Sequence, residues 1–278
     1  MQVHSIISNT ISEDILYKGH LSIRFSADGF SLLLADQRYK PVIINSFTSD
    51  PVPSQLSQIA TCTQWLEDHT LLSKFHGTCS IVVDSPAATV IPEDLFSTDL
   101  TRFYLQQSNH VSLDDNSYFR KIDGRPFYLV YLAPESITQL AAKMACNCTI
   151  LHPAVCMLSL ADQINAADHQ RGFCMIEIRK RYLEVLVIRN DQLVLLNRYR
   201  IHSPRDTVYH TLNTFKQLDY NPEMIPLFFS GEAYNDSEEI LQLKRYIRKV
   251  TSVPYIIQDV KNEYISANII LAEATRCE

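Results

Sequence analysis

Seven cysteines and nine histidines are the side chains in this 278-residue chain best suited to hold a metal or to act as nucleophiles. Cysteine zinc sites use C-x2-C pairs, joined by a second such pair or by histidines, because four ligands must converge on one tetrahedron. Here Cys62, Cys79, Cys146, Cys148, Cys156, Cys174 and Cys277 are scattered, mostly among apolar neighbours. The closest two, Cys146 and Cys148, have one residue between them, and Cys156 follows eight residues later with His152 and His169 in the vicinity. No second pair has ligand spacing, so the pattern reads as structural thiols with no metal. His202 and His210 flank a helix start but lie eight apart, too far for the i, i+4 pairing of a helical metal site. No G-x-S-x-G, H-E-x-x-H, Walker A or G-x-G-x-x-G occurs, which removes the motif-borne hydrolase, zincin, P-loop and dinucleotide chemistries.

Phosphate chemistry needs glycine, because only a backbone without Cβ can wrap closely around the anion. The chain has six glycines, none adjacent to another, where average usage would give about 19. Its net charge of −6 divides into −7 over residues 1–169 and +1 over residues 170–278. That balance disfavours nucleic-acid binding, which needs a basic face to displace counterions from phosphates. The local basic groups, Arg179-Lys180-Arg181 and Lys244-Arg245 with Arg248-Lys249, fit a hairpin tip and an exposed helical face. No apolar run approaches 18 residues, and the polar, acidic start from Met1 to Tyr17 is unlike a secretory signal, so the expected location is cytoplasmic, with no membrane insertion.

The elements that would position any site appear twice. Leu21 to Phe25 alternates, Ser26-Ala27-Asp28-Gly29 signals a turn, Phe30 to Ala35 resumes with strand formers, and a third strand runs from about Pro41 to Phe47. A helix over Ser54 to Leu72 and a buried strand over Phe75 to Val83 follow. The spacing then predicts a helical region over Ile91 to Ser108, a hairpin of Tyr118 to Ile122 with Pro126 to Ala133, and a helix from Pro134 to Met144. A short strand at Thr149 to His152 and a helix over Ala154 to Ala167 complete the half. From Phe173 to Ile201 three β-rich runs recur: Cys174 to Arg179, Tyr182 to Ile188 and Gln192 to Ile201. A helix from Pro204 to Leu218, a strand at Ile225 to Phe229, a helix from an Asp236 N-cap to Val250, a strand at Val253 to Ile257 and a helix over Tyr264 to Thr275 follow. The polar stretch Asp168 to Gly172 marks a boundary, giving domains of 1–169 and 170–278.

Three antiparallel strands followed by helix, strand, helix and strand, used twice, resembles the actin-like ATPase superfamily. Within it the chain is most similar to PilM-like pilus-assembly proteins and to an uncharacterised family of Bacteroides-like bacteria. The resemblance implies an α/β, ribonuclease H-like duplicated fold: two mixed sheets flanked by helices.

It also implies where a nucleotide would sit. Active members open each phosphate hairpin with Asp-x-Gly, the acid organising Mg²⁺ through water and the glycine letting the backbone approach phosphate. On that pattern Arg24 takes the acid position and Ser26 the glycine position of the first hairpin, while Glu177 and Arg179 take those of the second. His202-Ser203-Pro204-Arg205 replaces the Gly-Gly before the following helix, where Ser203 can cap and Pro204 can lead. Of the adenosine motif, Pro226 to Glu232 keeps the strand and its first glycine, Gly231. These substitutions lead to an expectation of a noncatalytic module with degenerate phosphate motifs and no cofactor. It would bind a protein or peptide partner, such as the cytoplasmic tail of a membrane-associated protein, or associate with itself. The alternative is an ATP-binding switch or ATPase that holds ATP and Mg²⁺ through Arg24, Glu177, Arg179 and Gly231, since arginine can grip phosphate by bidentate hydrogen bonds.

Overall fold

The structure, a computed structural model, describes residues 2–7, 11–48, 54–107, 111–112, 114–168, 172–255 and 262–277. The chain forms two compact units, one of residues 1–156 with 271–278 and one of residues 157–270. The domain boundary expected at residues 169 and 170 lies outside the described residues.

The first unit opens with β1 (Gln2–Ile7), α1 (Glu13–Lys18), β2 (His20–Ser26), β3 (Gly29–Ala35) and β4 (Pro41–Thr48). It continues with α2 (Gln55–Asp68), α3 (Leu71–Lys74), β5 (Thr78–Val83), β6 (Ala88–Pro92), α4 (Thr101–Gln106), β7 (Asp115–Lys121) and β8 (Phe127–Pro134). Then come α5 (Glu135–Lys143), β9 (Cys148–Leu151) and α6 (Pro153–Asp168). The six-stranded sheet has the order β1-β4-β3-β2-β5-β9. β2, β3 and β4 pair antiparallel, whereas β5 lies parallel to β2 and β9 parallel to β5. Alternation along the strands sends Leu21, Ile23 and Phe25 of β2 to one face, where they pack with Leu66 of α2 and Ile137 of α5. The residues between them, Ser22 and Arg24, are also buried, so this sheet is covered on both faces. Ser54 caps α2, its hydroxyl accepting from the Ser57 N–H at 3.2 Å.

A small sheet of order β6-β8-β7 is inserted between β5 and α5, with Leu105 of α4 packed on Val130 and Leu132. The helix expected over Ile91 to Ser108 reduces to the end of β6, two short 3₁₀ turns and the six residues of α4. Its apolar spacing does not mark a buried face: Leu95, Leu100 and Phe103 are exposed.

The second unit repeats the scheme: β10 (Gly172–Ile178), β11 (Tyr182–Arg189), β12 (Gln192–Arg200), α7 (Pro204–Gln217), β13 (Leu227–Gly231), α8 (Glu238–Leu243), β14 (Val250–Ser252) and α9 (Asn262–Ala274). Its sheet has the order β12-β11-β10-β13-β14, matching β4-β3-β2-β5-β9 strand for strand. The pairing senses match too: three antiparallel strands, then two added parallel. Divisions between the units fall within α6 and α9. α8 is shorter than the expected Asp236 to Val250 and starts from Ser237 rather than Asp236. Ile240, Leu243, Ile247 and Val250 are all buried, as their spacing requires, but the chain leaves the helix after Leu243 so that Val250 can enter β14. The last strand therefore lies earlier than Val253 to Ile257, and residues 256 and 257 of that expectation lie outside the described residues.

Candidate functional site

The turn between β2 and β3 is where the first phosphate loop would be, and its own side chains fill it. The Ser26 hydroxyl donates to the Asp28 carboxylate at 2.6 Å, and Asp28 is buried. Gln58 of α2, with its amide nitrogen turned inward, donates to the carbonyls of Gly29 at 3.1 Å and Ser26 at 3.2 Å. Gly29, at φ 157°, is required because a Cβ there would lie 1.9 Å from the Phe47 carbonyl oxygen of β4. Glycine here serves close strand approach, and the turn presents acceptors where an anion would need donors.

Arg24 is fully buried beside this turn. Its Nε and Nη2 reach one oxygen of Asp84 at 3.0 and 2.9 Å, and both side chains are about 1% exposed. The parallel pairing of β2 and β5 sets Arg24 opposite Val82, which brings Asp84, just beyond β5, to the guanidinium. Two buried charges are tolerated there because each neutralises the other. Asp84 also lines a cavity of about 350 Å³ with Phe25, Ser26, Gln58, Asp115 and Leu132. The charged residues among the described lining are the carboxylates Asp84 and Asp115. On the other side of Asp84, Ser85 is fixed by His152. The His152 Nδ1 accepts from the Ala154 N–H at 3.1 Å at the start of α6, which leaves Nε2 to donate to the Ser85 carbonyl at 3.0 Å. Sequence reasoning missed Asp84, Asp115 and Gln58, which lie 34 or more residues from Arg24 and come to it only through strand order.

In the second unit Glu177, Arg179 and Gly231 are gathered at adjoining ends of β10 and β13. Glu177 is fully buried, level with Glu184 of β11 and Ser230 of β13. Glu184 in turn accepts from Arg198 of β12 at 3.0 Å, and the Arg198 guanidinium lies over the Tyr182 ring. Arg179 closes the hairpin by donating its N–H to the Tyr182 carbonyl at 2.9 Å, and its guanidinium pairs with Glu232 at 3.1 Å. Gly231 has φ 91°, and a Cβ there would meet the Ile178 carbonyl oxygen at 2.1 Å. That oxygen accepts the Glu232 N–H at 2.7 Å, so glycine is required where β13 leaves β10. A cavity of about 210 Å³ opens beside them, lined by Arg179, Lys180, His202, Glu232 and Glu239. At its edge Asp206 takes the N–H groups of His202 and Ser203 at 2.7 and 3.0 Å, holding its carboxyl below the usual range. Arg24 belongs to the first unit and the other three candidates to the second.

A third cluster escaped the spacing argument altogether. The sulfurs of Cys79, Cys146 and Cys148 lie within 4.8 Å of one another. Cys79 is buried in β5 and stands opposite Cys148 of β9 in the parallel register, while Cys146 comes from the loop before β9. Hydrogen bonds from Cys148 and then Cys79 hold the Cys146 thiol down to about 4, and the same contact from the other side pushes Cys148 up to about 12.

Among the described residues no helix is long and apolar enough to cross a membrane. No curated protein sequence matches the chain at a significant level. Solved structures match over nearly its whole length. A Bacteroides thetaiotaomicron VPI-5482 protein with an actin-like ATPase fold and unknown function shares 20% identity at TM-score 0.77, covering 97% of this chain and 100% of its own. PilM in the PilM-PilN type IV pilus biogenesis complex shares 11% at TM-score 0.61, covering 93% and 98%. The ethanolamine utilization protein EutJ from Carboxydothermus hydrogenoformans shares 9% at TM-score 0.55, covering 98% and 93%. The fold is therefore the actin-like ATPase fold, and a family model spanning residues 8–250 places the chain in the family described as protein of unknown function (DUF3822).

Proposed function

We propose that this protein is a noncatalytic actin-like module that binds a segment of a partner protein in the first-unit cavity beside the β2–β3 turn. The observation that carries the reading is the chemistry of that turn. Its interior is filled by Asp28 and Gln58, its nearest cation is engaged by Asp84, and the cavity beyond offers carboxylates and apolar surface. A triphosphate would meet the Asp115 carboxylate beside an Asp84 already neutralised by Arg24, whereas an apolar peptide side chain flanked by a basic one that reaches Asp115 would meet complementary groups. The likeness to PilM, solved in a complex with PilN, supports a protein as the partner, and the class proposed for it is a peptide or the cytoplasmic tail of a membrane-associated protein. In the second unit Arg179 is already paired with Glu232, and Gly231 has a complete structural reason in its approach to Ile178. With those two candidates already engaged, the alternative of an ATP switch is the less favoured reading.

The test has two arms on the full chain. Thermal melting with millimolar ATP, ADP or GTP, with and without Mg²⁺, is expected to show no shift; ligand at a hundred times its Kd would add about 2.7 kcal/mol. A Mg²⁺-dependent rise would overturn the reading in favour of the ATP switch. Affinity capture of partner proteins with the native chain and with Asp115→Arg is expected to lose its partner in the variant. Equal capture by both would move the binding surface away from this cavity.

A further inference from the structure

We propose that Cys79, Cys146 and Cys148 form a binding site for one Zn²⁺ ion, at the end of the first-unit sheet remote from the cavity beside Asp84. The three sulfurs lie within 4.8 Å of one another although they come from two strands and a loop. In a tetrahedral site with Zn–S bonds of about 2.3 Å, sulfurs stand about 3.8 Å apart. Closing the cluster onto a metal therefore asks each sulfur to move by about half an ångström, which side-chain torsion alone can supply.

The backbone is already fixed around the cluster. Cys79 and Cys148 face each other across the parallel β5–β9 pair, and the loop carrying Cys146 is tied down by the Ala145 N–H donating to the Leu72 carbonyl at 3.0 Å. Three soft sulfur donors select a thiophilic cation over Mg²⁺ or Ca²⁺, which take oxygen ligands. Cys79 is buried while Cys146 and Cys148 are half-exposed, so the ion enters from the solvent side. With three sulfurs from the chain, the fourth position falls to water. Cys79 and Asp84 stand at opposite ends of β5, roughly 16 Å apart at the rise of a strand. The metal is thus separate from the peptide cavity, and its work is to clamp the start of β9 onto β5. Binding Zn²⁺ displaces thiol protons to solvent, so each ion taken up releases protons and no electron changes hands.

The test uses the full chain, reduced with a phosphine, stripped with a chelator and titrated with Zn²⁺ against a chromophoric competitor. One ion per chain is expected, with Cys146→Ser or Cys148→Ser each weakening it more than about a hundredfold, beyond the range that outer-shell partners command. Cys174→Ala, in the core of the other unit, should leave the affinity unchanged. Should a serine variant fail to fold, Co²⁺ added to the native chain carries the test, with intense sulfur-to-metal charge transfer expected from three thiolates. The proposal is overturned if the native chain takes up no Zn²⁺ in competition, if Co²⁺ shows no thiolate band, or if Cys146→Ser/Cys148→Ser binds as tightly as the native chain.

Discussion

The first hairpin of each unit carries a buried arginine, and the two arginines are held in physically different ways. In the first unit Arg24 is locked in a dry pair with Asp84, both side chains about 1% exposed. In the second, Arg179 is 8% exposed and its partner Glu232 is 35% exposed. A pair without water forms only because the chain is folded around it, and losing either member takes the ion-pair partner from a buried charge. A pair whose carboxylate stays partly in water exchanges water for protein at less net gain. The same sheet order thus occurs twice while the ends of its strands carry different electrostatic arrangements, one dry and one with its carboxylate partly in water.

The largest effect expected from breaking this contrast is at Asp84. Asp84→Ala should destabilise the chain by about 3–5 kcal/mol in urea unfolding, because Arg24 is left charged and buried. Arg24→Met with Asp84→Leu should recover most of that loss; a cost below about 1 kcal/mol for Asp84→Ala would show that water reaches the pair. Next comes Gly231→Ala, expected to cost about 2–3 kcal/mol, since the new methyl group meets the Ile178 oxygen in a left-handed backbone. A neutral result there would remove the structural reason for the glycine. Smallest is the Arg179–Glu232 coupling in a double-mutant cycle, expected under about 1 kcal/mol and smaller still at high salt. A coupling above about 2 kcal/mol would make the two hairpins alike after all.

The order of these elements along the chain was legible because local signals carry it: alternation over Leu21 to Phe25, the turn at Ser26 to Gly29, and the repeat from Phe173 onward all match the structure. Element ends were less legible where exposure, rather than burial, decided them, as with Leu95 and Phe103. The site residues divided along the same line. Arg24 stood out by its type at a family position, but its partner is 60 residues away and no spacing rule joins them. The cysteine cluster was hidden for the same reason, since Cys146 and Cys148 acquire Cys79 only through the pairing of β9 with β5. Strand register is tertiary information, and a linear spacing rule cannot contain it.

The small inserted sheet has a consequence for the order in which the chain assembles. Pairing β9 with β5 joins Cys79 to Cys148 across 69 residues, whereas its counterpart joins Leu227 to Val250 across 23. If the intervening segment were still unstructured, the longer loop would cost about 1 kcal/mol more to close. That penalty disappears once β6, β7 and β8 have folded on Leu105 and shortened the effective span. β9 is therefore expected to join its sheet late, after the insert, while β14 can add to β13 from a nearly local encounter.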